Sequence, residues 1–170
     1  LEDPKDSVIG HLLGTADLLA QLADRCYLEK CRDRLYPEFV LGDVAFERGS
    51  YGSVVRYYSG RELLAKTFEF YHSTAEQRLE HSFNRAYRYI EALYENGENP
   101  YVPFIRRNLE FLDQVNKGGD WHKLRRRPRC VIPDPNGEAR LMTLALRRLR
   151  EFSEAERAGP ASDADEPSIV

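Results

Sequence analysis

The stretch GTADLLAQLADRCYLEK, Gly14–Lys30, decides the fold. Its apolar residues return every three or four positions. Joined to the residues just upstream, they make one stripe of Ile9, Leu12, Leu13, Ala16, Leu19, Ala20 and Ala23. That period belongs to an amphipathic α-helix, expected from Ser7, a candidate cap, to about Ala23. One residue interrupts it. On a helix turning ~100° per residue, Asp17 stands about 40° beyond Leu13, with Gly10, Gly14, Gln21 and Asp24 on its side.

Outward from this helix the pattern stays helical. Tyr27 to about Leu35 reads as a short helix ended by Pro37, because proline lacks the donor that a helix interior needs. The run from Leu41 to Gly60 holds four glycines, which argues for a bent, irregular connection. It is a candidate wall or lid of a substrate opening, or a plain connector. From Arg61 the helical period resumes with Leu64, Phe68 and Tyr71. STAE, Ser73–Glu76, has the capping-box form and marks a new helix or a kink. Leu79, Phe83, Ala86, Tyr87, Ile90, Leu93 and Tyr94 give the strongest period in the chain, stopped at Gly97 by a left-handed residue. Val102, Ile105, Leu109 and Leu112 define a further helix from near Pro103. Period-2 alternation is nearly absent, so the expected fold class is all-α.

After Lys117 the composition shifts to Gly, Pro and Arg. The expected organisation is a helical body over 1–117, a linker over 118–138, an amphipathic helix over 139–157 and a disordered acidic tail over 158–170.

A chain of 170 residues with 42% hydrophobic content and net charge -3 is an ordinary globular domain, with no global attraction to nucleic acid or an anionic membrane. No apolar run approaches the roughly 18–20 residues that cross a bilayer, and the start LEDPKDS is no secretory signal. The first residue is Leu1, so a trimmed or partial chain is expected. Cys26, Cys31 and Cys130 make an odd count without framework spacing, which favours a reducing, cytoplasmic setting and idle thiols over structural zinc.

Asp17 has two readings. It is a solvated carboxylate at a helix margin, or it works with Gln21, one turn away, on a ligand that Gly10 and Gly14 allow to come close. At these residues IGHLLGTADLLAQLADRCYLEKCRDRLYPEF, Ile9–Phe39, resembles the later half of the HD-domain metal-dependent phosphohydrolases, the superfamily that includes the cyclic-nucleotide phosphodiesterases. The likeness extends more weakly through NPYVPFIRRNLEFLDQ, Asn99–Gln114, and stops by Lys117. Those proteins hold divalent metal in a helical bundle with a histidine, then an adjacent His-Asp pair, then a distant aspartate that precedes an apolar pair, as TADLL does here. The resemblance puts Asp17 in the place of that last ligand. It implies a divalent metal ion that activates water for attack on phosphorus, and a phosphorylated small molecule or nucleotide as substrate.

The departures matter as much. None of the four histidines, His11, His72, His81 and His122, precedes an aspartate. The chain therefore resembles the C-terminal part of such a bundle without its front, and is expected to be inactive alone. Apolar surface left by a missing front would also favour homo-oligomers. His11 lies about 120° from Asp17 on the wheel, so one helix does not aim both at one metal. Arg25, Lys30 and Arg32 follow Asp17 closely and read as an exposed charged face, or as phosphate-neutralising groups. The other function class is a non-catalytic helical interaction or regulatory module with a lost metal site. HKLRRRPR, His122–Arg129, beside Trp121, is a minor candidate for nucleic acid; a solvated linker is favoured, given the net acidic chain.

Overall fold

The computed structural model describes residues 3–49, 52–127 and 136–158. The chain is mostly helical, as expected. Helix α1 spans Pro4–Ala23, one turn earlier than the Ser7 start. Asp3 caps it, accepting from Lys5 N at 2.8 Å, and Pro4 supplies the first-turn residue that needs no donor. At its other end, buried Asn108 donates to the carbonyls of Leu22 and Asp24, both at 2.8 Å. The Leu22 carbonyl is among the orphan acceptors that every helix end leaves; the Asp24 carbonyl also accepts from Tyr27 N at 2.9 Å.

Helices α2 (Tyr27–Lys30) and α3 (Tyr36–Leu41) flank a π-helical turn, Cys31–Leu35. Pro37 therefore does not end the helix. It falls in the first turn of α3, just after the ladder has been re-registered by the wider turn.

The glycine-rich run is more regular than its composition suggests. Strands β1 (Phe46–Gly49) and β2 (Gly52–Val55) form an antiparallel hairpin, with Phe46 opposite Val55 and Gly49 opposite Gly52. The four residues of each strand are too few to display alternation against the glycines.

Helix α4 covers Gly60–Phe70, and its capping motif is SGRE rather than STAE. Ser59 Oγ accepts from Glu62 N at 3.2 Å, while the Glu62 carboxylate accepts from Tyr58 N at 2.8 Å. Gly60 is required here, because a Cβ would lie 2.8 Å from the Arg32 carbonyl oxygen. Ser73–Glu76 instead falls in and just after a π turn, Tyr71–Ala75.

The expected long helix over Leu79–Tyr94 is broken. A π turn at Arg78–Ser82 leads into turns through Tyr87, with Asn84 and Arg85 at φ of 48° and 57°. Only Arg88–Glu91 returns to helix, as α5. The break delivers the Phe83 ring to α1, where a Cβ on Gly14 would sit 2.6 Å from it. Tertiary packing has overridden a strong local period.

Helix α6, Val102–Gly118, ends on Gly119 in the left-handed conformation. The following residues, through Arg127, are docked rather than free. Leu124 is buried, its carbonyl accepts from Arg32 Nη1 at 3.1 Å, and Arg126 N donates to Glu29 Oε1 at 3.0 Å. Helix α7, Gly137–Ala158, lies against α3 and the hairpin, with Phe152 stacked on Phe46 at 4.2 Å between ring centres.

Three apolar clusters make the core. Leu19, Leu22, Ala75, Leu79 and Ile105 join α1 to α6 and the π turns. Leu28, Leu64, Leu112, Val115 and Leu124 form the centre. Tyr36, Val40, Tyr57, Leu63 and Ala145 seat α7. Among the described residues no helix is long and apolar enough to cross a membrane. Cys130 and the acidic tail beyond Ala158 lie outside the described residues.

Candidate functional site

Helix α1 buries a different side from the one its stripe suggests. Leu19 and Leu22 are each 2% exposed and Thr15 is buried with them. On the wheel these centre roughly opposite Leu13. Ile9 is 54% and Leu13 67% exposed, and Leu12, Ala16 and Ala20 are exposed as well. Asp17 belongs to this outward apolar face. It is exposed, and Oδ1 accepts from Gln21 Nε2 at 2.8 Å, so the carboxylate and carboxamide one turn apart meet each other.

The other residues singled out from the sequence do not converge on Asp17. Asp24 binds Lys30 Nζ at 2.5 Å and Cys26 N at 2.6 Å. Partial burial opposes ionisation of Asp24, but the Lys30 ammonium and the Cys26 N–H outweigh it and hold the carboxyl below its ordinary value. Arg32 grips Asp33 at 2.6 and 2.7 Å as well as the Leu124 carbonyl. It is a clamp on the docked arm rather than a free phosphate receptor. His72 is exposed and pairs with Glu76 at 3.2 Å; His81 is exposed, and His11 is half-buried. Among the described residues no three His, Cys, Asp or Glu side chains gather as a metal site.

The two described cysteines are buried free thiols. Burial pushes the Cys31 thiol up to about 12, even with Tyr27 hydrogen-bonded to it. It is not a nucleophile at neutral pH. It borders a cavity of about 320 Å³ that also touches Tyr57 and Thr67.

A larger cleft, about 660 Å³, opens one turn beyond Asp17. One side is α1 and the turn after it: Ala20, Ala23, Asp24, Arg25 and Lys30. The other carries the exposed aromatics Tyr94, Tyr101 and Phe104. Asp17 is not among its lining residues. Asp24, Arg25 and Lys30 are legible as sequence neighbours of Asp17, but the aromatic wall is not. It exists because the helix breaks before Tyr94 and restarts at Val102, whereas periodicity places Tyr94 in one helical stripe with Leu79 and Ile90.

Compared with known proteins, the chain matches no family model, no curated protein and no solved structure.

Proposed function

We propose that this chain is part of a divalent-metal-dependent phosphohydrolase of the HD type. Asp17 supplies one metal ligand, and the remaining ligands come from another helical layer seated on the outward face of α1. The observation that supports this reading is that face itself. Ile9, Leu12 and Leu13 are apolar and exposed beside a carboxylate, which suits a surface that another layer covers.

The described residues do not by themselves fit a metal. Hard divalent cations take about six donors, whereas Asp17 stands without a second ligand cluster and already accepts from Gln21. No hydrolytic step is therefore derived from this chain, and alone it is expected to be inactive. A cytoplasmic setting belongs to the same proposal, supported by the unbridged Cys26 and Cys31.

A second reading is a non-catalytic helical interaction module that uses the same face. The Gln21–Asp17 hydrogen bond favours it, because it satisfies the carboxylate without a cation.

One experiment separates the two. The chain is assayed on bis(p-nitrophenyl) phosphate with Mn²⁺, alone and together with any upstream-encoded segment that carries a histidine and a His-Asp pair. The first reading expects turnover only in the combined form, lost in Asp17→Ala. Binding of that segment without turnover, unchanged by Asp17→Ala, establishes the module instead.

A further inference from the structure

The cleft beside α1 has a composition that identifies a ligand class. Its volume, about 660 Å³, falls in the range of small-molecule sites. Tyr94, Tyr101 and Phe104 line it and are all exposed. The Arg107 guanidinium already lies over Phe104, 5.6 Å from its ring centre, so the two tyrosine rings are the ones offered to a flat partner, with Phe104 as the wall beside them.

Its charge is equally defined. Asp24 and Lys30 neutralise each other across 2.5 Å, and Arg25, exposed on the same lining, remains as one net positive charge. A guanidinium both pairs with anions through its fork of donors and stacks on planar groups.

Both walls are held in place before any ligand arrives. Asn108 fixes the Asp24 carbonyl at 2.8 Å. Buried Asn99 fixes the aromatic side, accepting from Tyr101 N at 3.0 Å and donating to the Tyr87 carbonyl at 3.4 Å. Such preorganisation lowers the ordering cost of binding.

We propose that this cleft binds a small molecule that carries a flat aromatic ring and a single negative charge. The ring enters between Ala20 of α1 and the Tyr101–Phe104 wall, and the anionic group meets Arg25. This holds whether or not Asp17 ligates a metal.

The test titrates the full chain, without metal, with 1-naphthoate, with the neutral 1-naphthalenemethanol, and with acetate. Amide resonances are followed throughout. Naphthoate is expected to shift Ala20, Ala23, Tyr101 and Phe104, and acetate to shift none of them. Arg25→Gln should weaken naphthoate by about tenfold, the worth of a charge-assisted hydrogen bond, and leave the neutral alcohol unchanged. Phe104→Ala should weaken both. Asp17→Asn should alter neither, which separates this site from the phosphohydrolase reading.

Naphthoate shifts outside the cleft, or equal affinity in Arg25→Gln, overturn the proposal. So do cleft resonances that move with protein concentration and no longer respond to naphthoate, because a second copy of the chain then fills the cleft.

Discussion

At the scale of single residues, small and polar positions set the geometry around α1. Gly14 was open to a reading as room for an external ligand; the group that approaches it is Phe83 of the same chain. A methyl at Gly14 must displace that ring, at about 1–3 kcal/mol, while alanine regains about 1 kcal/mol of helix propensity inside α1, so Gly14→Ala is expected to cost at most about 2 kcal/mol net in urea denaturation. Shortening the ring with Phe83→Leu should recover part of the loss in the double variant. Nothing in the sequence pairs these two residues, because Phe83 reaches α1 only through the left-handed Asn84 and Arg85. Asn108 is a similar case: an asparagine inside a helical stripe gives no sign that it closes the end of another helix. Asp24 carries a pH signature. Its carboxyl is lower in the folded chain than in the unfolded one, so its stabilisation is present above its unfolded value, about 3.9, and fades as pH falls through the folded value. The stability gap between the native chain and Asp24→Asn should therefore be constant near neutrality and shrink below about pH 3.9. A gap unchanged down to pH 3 would mean that the Lys30 pair contributes nothing. Being partly exposed, the pair is screened, and the effect should be small.

At the scale of elements, periodicity identified helices more reliably than it oriented them. In α1 apolar residues cover an arc of about 220°, from Leu18 round to Leu13, wider than one buried face needs, and a wheel cannot say which part of that arc faces the core. The core takes Leu19 and Leu22, leaving Ile9 and Leu13 outside. The two faces should respond oppositely to substitution. Leu22→Ala is expected to cost about 2–5 kcal/mol, and Leu13→Gln to stay within about 0.5 kcal/mol, both read from denaturant midpoints. The arm after α6 was also illegible, since its anchor is a carboxylate in an apolar setting. Glu29 is 1% exposed; one oxygen accepts the Arg126 N–H and the other accepts no hydrogen bond, with the Arg32 guanidinium as its charged neighbour. Arg126 adds its guanidinium over the Phe111 ring, 4.9 Å from the centre, and a hydrogen bond to the Arg25 carbonyl. Removing the carboxylate should release the backbone first. Amide exchange at Arg126 is expected to speed up in Glu29→Ala, while amides of α6 such as Leu112 keep their native rates.

At the scale of the whole molecule, the helical class was legible because most residues obey one period, whereas the hairpin was not. What makes the hairpin possible is remote in sequence. Phe46 of β1 stacks on Phe152, and α7 is held in place to receive it by Arg148 on Asp43, in the turn before β1, at 3.0 Å and by Glu138 on Arg34, in the first π turn, at 2.6 Å. All three ties run to α7, and buried Ala145 brings Met142 and Leu149 onto Tyr36 and Val40. A two-stranded hairpin is marginal without a layer behind it, so its order should depend on α7. Ending the chain at Arg127 strips that layer from the cluster around Val40 and leaves untouched the cluster that joins α1 to α6. The shortened chain is expected to lose amide protection at Val54 and at Arg56, whose N–H donates to the Ala45 carbonyl at 2.7 Å, and to keep it at Leu19, Leu22 and Ile105. Val54 and Arg56 exchanging at native rates would show that α3 alone supports the hairpin. Equal loss in both regions would show instead that the clusters unfold as one unit, with α7 required for the α1 face on which both functional readings depend.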